Sequence, residues 1–354
     1  MPSLRKRVCD NCGNEYLGTG TKYCSRECAN AASQQTTYEK LQTLDKLALK
    51  LDHFFEIEGD MMVSSDWHLP LIDIDIVMKL ILVAKKFGLK KMALVGDFIN
   101  FETIAHWDQE NMDVNLRLEL ESAEEMLNIL FDWFDEIYWC FGNHDDRLTR
   151  LFNFQLQPTE FGKLITDQIG KKIFISSHPY MILNNGSKWR LTHPKNFSVL
   201  TNRVPTRLAD KYRCNVLGAH GHHQGINFDT SGNDLCGDLG CLTDYEKTHY
   251  IMFKDTTHPI WNMGFGMIRN GTYYMFSENH KATDWDFWLD KEFLMREGLK
   301  LDVNDKIIQI NKKTEKKSTV KKNKKIVSNE VGSVRTEASV RRTLAMDSMK
   351  KKKK

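Results

Sequence analysis

Residues 92–100 read MALVGDFIN, an apolar run that stops at Gly96 and delivers a carboxylate, Asp97, directly behind it. In sheets with parallel strands, the side chains that do chemistry sit in loops just past the strand ends. Four other stretches repeat this arrangement with residues able to bind a divalent metal. They are residues 61–70 (MMVSSDWHLP, with Asp66 and His68), 137–147 (IYWCFGNHDDR, with Asn143), 189–194 (WRLTHP, with His193) and 215–223 (NVLGAHGHH, with His220 and His222). Seven candidate ligands at the ends of five apolar runs are difficult to obtain by chance.

Outward from this core, apolar residues at helical spacing predict helices over 74–87, 116–134 and 203–212, between strands near Met61, at 92–95, at 137–141 and at 216–217. The βαβαβ order predicts a sheet with helices on its faces. Asn185-Gly186, between 180–183 and 188–192, predicts a β-hairpin. Residues 258–276, HPIWNMGFGMIRNGTYYMF, read as part of a second sheet.

Hydrolysis of a phosphoester needs an activated water and neutralised phosphoryl oxygens, which two divalent ions sharing a carboxylate supply. Asp66-x-His68 and His220-x-His222 each place two side chains at i and i+2, which on extended backbone project to one side. Asp97 is the natural bridging carboxylate, and Asn143 offers a neutral amide oxygen.

DWH, GDFIN, GNHDD, THP and HGHH resemble the motif set of calcineurin-like metallophosphoesterases, in particular the compact ones of bacteria and their phages, over about residues 60–280. The resemblance implies a four-layered α/β/β/α sandwich. It implies one metal held by Asp66, His68, Asp97 and His222 and a second held by Asp97, Asn143, His193 and His220, with a bridging hydroxide as nucleophile. Manganese is the expected metal, with iron, zinc, nickel or magnesium as alternatives. The resemblance places His144 near the leaving-group oxygen, and Arg147 resembles an arginine that binds substrate phosphate. Two positions depart from the pattern or leave it open. Asn100 stands where many members have a second Asp, so Glu102 or Asp146 is the candidate to orient His144. Both His178 and His193 precede proline after a strand, and His193 is preferred because it leads into the helix before GAHGHH.

The weaker candidates are His106, Trp107 and Asp108 as channel residues, and Cys236, Cys241, Asp234, Asp238 and Asp244, which read better as core thiols and loop acids.

The ends of the chain differ from its middle. Cys9-x2-Cys12 and Cys24-x3-Cys28 match a tetrahedral zinc site and resemble treble-clef fingers, often attached to nucleic-acid enzymes. Residues 1–30 are thus read as a zinc finger, 31–58 as a helical linker with Leu41, Leu44, Leu47, Leu51 and Phe55 packed on the next domain, and 59–300 as the phosphoesterase domain. Residues 301–354 carry 17 Lys and Arg against 6 Asp and Glu and are expected to be a disordered basic tail, with a short helix at 334–349. The remainder outside residues 1–30 carries 28 against 38. Cysteine usage and the lack of a signal predict a reducing compartment, no membrane span is expected, and the resemblance to bacterial and phage enzymes implies the cytoplasm of a bacterial or phage-infected cell. The expected function is a two-metal nuclease acting on DNA or RNA. The alternatives are a phosphatase whose finger and tail dock on a protein, and a non-catalytic metal-stabilised binding protein.

Overall fold

The computed structural model describes residues 4–48, 54–105, 115–153, 156–248, 261–279 and 281–310. His106, Trp107, Asp108 and the helix expected at 334–349 lie outside them.

An N-terminal hairpin, β1 (Arg5–Val8) and β2 (Glu15–Gly18), precedes α1 (Arg26–Ala48). The body then runs β3 (Glu56–Glu58), β4 (Met61–Ser64), α2 (Ile74–Phe87), β5 (Lys91–Val95), α3 (Leu116–Phe131), β6 (Glu136–Cys140), α4 (Asp145–Leu151), α5 (Pro158–Lys163) and β7 (Ile173–Ser176). It continues with β8 (Tyr180–Asn185), β9 (Ser187–Thr192), α6 (Arg203–Tyr212), β10 (Asn215–Gly218), β11 (Gln224–Phe228), β12 (Leu235–Leu239), β13 (Gly264–Arg269) and β14 (Thr272–Ser277). Short helices at Trp285–Trp288 and Lys291–Arg296 lead to β15 (Leu299–Leu301) and β16 (Ile307–Gln309).

Two six-stranded sheets form, ordered β14-β13-β4-β5-β6-β7 and β11-β12-β10-β9-β8-β3. Strands β4 to β7 are parallel. In the second sheet, β9, β10 and β12 run parallel. Alternate residues divide between two cores. Met61, Val63, Ala93 and Val95 meet Met181, Leu183, Trp189, Leu191 and Leu217 of the second sheet. Met62, Met92 and Leu94 face the other way, onto Leu80 and Val83 of α2 and Leu127 and Leu130 of α3. A strand buried on both faces must be apolar at every position, which is why these strands read as continuous runs. On the far side, Ala209 of α6 packs on Val216 and Cys236. The layers are therefore α/β/β/α, the architecture expected.

Local signals explain the element ends. The Asp73 carboxylate accepts from the N–H groups of Asp75 (2.8 Å) and Ile76 (3.1 Å) at the start of α2, a cap worth about 1 kcal/mol. Gly88, at φ 68°, ends that helix by donating to the carbonyls of Ala84 and Lys85. Gly186, at φ 67°, turns the chain between β8 and β9.

Three expectations are corrected. β13 and β14 do not belong to the second sheet: β13 pairs antiparallel with β4 and extends the first. Apolar β sequence states that a strand is buried, and not against which neighbour. The helix expected from residue 31 to 55 starts at Arg26, within the finger's residue range, and Leu41 on it is 58% exposed. Leu44, Leu47 and Leu51 lie outside the described side chains. Phe55 does pack on the body, its ring 5.5 Å from that of Tyr138, but from extended chain. Folded structure also runs past residue 300, because β15 and β16 form a hairpin. Its polar turn is ordered by Asp302, whose carboxylate accepts from the N–H groups of Asn304 and Lys306, while the Ile307 N–H donates to Asp75 at 2.7 Å.

Candidate metal centre

The C-terminal ends of β4, β5 and β6 in one sheet and of β9 and β10 in the other converge on one cluster. Asp66 and Asp97 stand two residues past β4 and β5, Asn143 three past β6, His193 one past β9, and His220 two past β10. The expectation that the paired residues share extended backbone is corrected. Asp66, His68, Asp97, His220 and His222 all have left-handed φ, of 51°, 48°, 52°, 76° and 55°. Each such non-glycine conformation costs on the order of 1–3 kcal/mol and persists only where surrounding contacts over-determine it. Here the loops interlock: the Asp66 N–H donates to Gly96 O, and those of Trp67 and His68 donate to Asp97 O. Trp67 turns into the core and donates its indole N–H to Ser64 Oγ at 2.9 Å, leaving Asp66 and His68 on the cluster side.

Two donor sets meet at Asp97. In the first, His222 Nε2 lies 3.1 Å from Asp66 Oδ1 and 3.1 Å from His68 Nε2, and His68 Nε2 lies 3.8 Å from Asp97 Oδ2. In the second, His193 Nε2 lies 3.3 Å from Asp97 Oδ2, 3.1 Å from Asn143 Oδ1 and 3.3 Å from His220 Nδ1. The far nitrogens are fixed: His68 Nδ1 donates to Asn100 Oδ1 (3.1 Å) and His193 Nδ1 to Val95 O (3.1 Å), which points each Nε2 lone pair into the cluster. Two glycines permit the approach. A Cβ on Gly142 would collide with Asp97, and one on Gly96 with the His193 ring and Gly142 Cα.

The electrostatics are those of a cation site. Burial pushes the Asp66 and Asp97 carboxyls up, but His222 and His68 beside Asp66, and His193 and His144 beside Asp97, hold both well below the usual range. Burial works against charge on His193, yet Asp97 and Asp66 raise it to about 10. Burial and the neighbouring His193 lower His220 to about 4. Asp66 Oδ1 is buried with only the His222 and His68 Nε2 atoms before it and no well-formed hydrogen bond, and a coordinated ion would satisfy it. With oxygen and imidazole donors from both sheets, these residues fit two divalent ions.

His144 sits beside this centre, its Nε2 4.0 Å from Asp97 Oδ2. Neither Glu102 nor Asp146 orients it. His144 Nδ1 donates to the backbone carbonyl of Asn100 at 2.7 Å, while the Asn100 amide donates to Glu102 and Asp146 pairs with Arg150. Asn100 thus aligns two histidines, one through each carbonyl. Arg147 donates to Asn100 O (2.9 Å) and to His144 Nε2 (3.1 Å), so it is a held residue rather than a solvated one. Burial, with His68 and Arg147, keeps His144 well below its ordinary value against the pull of Asp97.

Sequence reasoning missed the role of Asp145. It is fully buried and accepts five N–H groups: from Asp97 (2.8 Å), Gly142 (2.9 Å) and the Trp139 indole (3.2 Å) at Oδ2, and from Phe98 (3.1 Å) and Ile99 (3.3 Å) at Oδ1. It ties the loop bearing Asp97 to the loop bearing Asn143. Burial and the charge of Asp97 push its carboxyl up to about 7, against the pull of these donors. Its position after Asn143 and His144 was the available signal, but nothing local marks a side chain that caps another strand's loop.

The remaining candidates stay apart. His178 packs its ring against Phe54 and Tyr180, away from the cluster that holds His193. Cys236 and Cys241 are buried thiols, Asp238 accepts from the Asn202 N–H and Asp244 caps a turn. Asp234 takes its place in the turn before β12, its N–H donating to Asp229 Oδ1. None of these five joins a metal-sized group among the described residues.

At the N-terminus, Cys24 Sγ lies 3.6 Å from Cys12 Sγ and 3.5 Å from Cys28 Sγ, and the Cys24 N–H donates to Cys9 Sγ. Zn–S bonds of about 2.3 Å in a tetrahedron space sulfurs by roughly 3.8 Å, so four thiolates this close fit one zinc. Gly13, at φ 76°, makes the turn after Cys12. Cys24→Ser is expected to remove one zinc equivalent per chain, read by elemental analysis of the purified protein. Full zinc content in the variant would exclude the site.

No helix among the described residues is long and apolar enough to cross a membrane.

No family model matches the chain, and no curated protein matches it. Among solved structures, a single mutant of Vps29 from Entamoeba histolytica is 11% identical, with a TM-score of 0.33 over 63% of this chain and 94% of that one. Protein TM1076 of Thermotoga maritima is 12% identical, with a TM-score of 0.30 over 62% and 98%. Wild-type Entamoeba histolytica Vps29 complexed with zinc is 11% identical, with a TM-score of 0.28 over 62% and 97%. At such identities and scores nothing these proteins bind or do transfers to this chain.

Proposed function

We propose that this chain is a two-metal-dependent phosphoester hydrolase whose substrate is the phosphodiester backbone of DNA or RNA. The observation that carries the reading is the meeting of two donor sets at one buried carboxylate: Asp66, His68 and His222 on one side of Asp97, and Asn143, His193 and His220 on the other. Divalent ions held there, manganese by expectation, would neutralise the phosphoryl oxygens and lower the pKa of an attacking water.

The protein's own groups divide the remaining work. Asp97 presents Oδ2 to both sets while its Oδ1 accepts from the His144 N–H at 2.8 Å, which keeps it from rotating. His144 commits Nδ1 to Asn100 O, so Nε2 is the nitrogen that exchanges a proton with the leaving oxygen. Arg147 now donates to that nitrogen. A phosphoryl oxygen arriving beside it would compete for the guanidinium and release Nε2. Support for a polynucleotide comes from charge. Arg5, Lys6 and Arg7 are exposed on β1, and residues 301–354 carry 17 basic against 6 acidic residues, where counterion release favours a phosphate backbone.

The test is manganese-dependent hydrolysis of single- and double-stranded DNA and RNA, beside bis- and mono-(p-nitrophenyl) phosphate. Polymer cleavage that stops on chelation is the expected result. Hydrolysis confined to the monoester would make this a phosphatase whose finger and tail dock on a protein, and no hydrolysis with any metal would leave a binding protein.

A further inference from the structure

We infer that Phe197, with Trp261, forms a stacking rim for an unpaired nucleobase beside the metal centre; this rests on the phosphodiesterase reading above. The histidine rings of the centre form two runs, each ending in an aromatic residue. Phe197 lies edge-on to His220 at 6.0 Å, and His220 lies 5.1 Å from His193. At the other end, His68 lies 5.0 Å from His222, and His222 lies 3.9 Å from Trp261. Phe197 therefore touches a histidine of one donor set, and Trp261 a histidine of the other.

Phe197 is not core. It is 58% exposed, and Val199 and Leu200 of the same segment are 52% and 56% exposed. The segment is nonetheless held at both ends. At one end the His193 N–H donates to Pro179 O, and at the other Asn202 and Asp238 exchange hydrogen bonds. Exposed phenyl and alkyl groups on a pinned loop, directly behind a candidate ligand, are what a binding rim requires. Lys195 and Arg203 bracket the segment and are exposed, and the cluster itself opens where Asn143, His144, His220 and Trp261 are part-exposed.

A ligand on this rim must offer an anionic group to the cluster and a flat apolar face within one nucleotide's reach of it. An unpaired nucleotide does both, and stacking on an aromatic ring tolerates any base. A paired base has its faces covered, so the rim selects single strands or frayed ends. A competing occupant would be a second copy of this chain, since the adjacent edge strand β11 exposes Ile226 and Phe228.

The experiment uses the full chain with manganese and a short single-stranded DNA in which the residues flanking the cleaved linkage carry thymine or are abasic. Phe197→Ala is expected to lower kcat/KM on the thymine substrate roughly 5- to 100-fold more than on the abasic one. Phe197→Tyr should restore the ratio, and Trp261→Ala should shift it in the same direction as Phe197→Ala. Equal losses on both substrates, or no loss, overturn the inference. So does an unchanged ratio accompanied by a change in oligomeric mass by light scattering, which would make the patch a protein interface. A wild-type chain that cleaves no polynucleotide removes the phosphodiesterase reading and the rim together. Cleavage that is indifferent to Phe197 removes only the rim.

Discussion

Asp97→Asn is expected to lower manganese-dependent phosphodiester hydrolysis by more than about 100-fold, beyond the loss typical of an outer-sphere partner. The geometry gives the reason. Asp97 Oδ1 already accepts from the His144 N–H, and an asparagine oxygen can keep that bond. The amide nitrogen then takes the place of Oδ2, the oxygen that lies 3.3 Å from His193 and 3.8 Å from His68. An anionic acceptor common to both donor sets becomes a neutral donor aimed at both. The near-ultraviolet circular dichroism should be retained, and manganese stoichiometry, measured by calorimetry, should fall. A variant keeping most of its turnover would eliminate the two-metal reading.

Asp145→Ala is expected to destabilise the body by at least about 3 kcal/mol, because it leaves five buried N–H groups without an acceptor. For a folded body of this size that corresponds to a melting temperature lower by about 6–12 °C. Asp145→Asn should be nearly as damaging. Oδ2 accepts three N–H groups and Oδ1 two, so either orientation of an amide turns its NH2 toward at least two donors. Differential scanning calorimetry of both variants decides the matter. A shift under about 2 °C in Asp145→Asn would mean that these loops are held together by something else.

The two variants separate roles that neighbouring residues share. Asp97 stands at the meeting of the donor sets, and Asp145 holds the loop that carries it. Loss of turnover without loss of stability in one, and loss of both in the other, would distinguish chemistry from positioning within the same pair of loops.

Much of the site was legible because its chemistry needs particular residue types at strand ends. Asp66, His68, Asp97, Asn143, His193, His220 and His222 follow apolar runs, and a run followed by such a residue can be read without knowing the neighbours. That His193, and not His178, falls beside the other candidate ligands was also legible, through the hairpin at Asn185-Gly186 that sets where each histidine falls. Helix ends were legible where a local signal marks them: Gly88 ends α2 and Asn115 starts α3, its side chain accepting from the Leu118 N–H, whereas α3, expected to reach residue 134, ends at Phe131.

What stayed hidden depends on contacts distant in the chain. The left-handed turns at Asp66, His68, Asp97, His220 and His222 are only weakly marked by residue type, since aspartate and histidine are enriched in that conformation yet mostly adopt others, and here the carbonyls of neighbouring loops hold them in it. The carbonyl of Asn100 replaces the carboxylate expected beside His144, and a backbone atom leaves no trace in composition. The sequence by itself determined the α/β class, the strand-end placement of the candidate metal ligands and the paired cysteines, because periodicity and spacing are properties of short segments. Only the tertiary structure decided that β13 and β14 extend the first sheet, that Asp145 ties two loops together and that Phe197 stands beside His220. Those facts follow from which segments meet when two apolar sheets close on each other, and that burial is non-directional, so the partners are selected by the packing of the whole body.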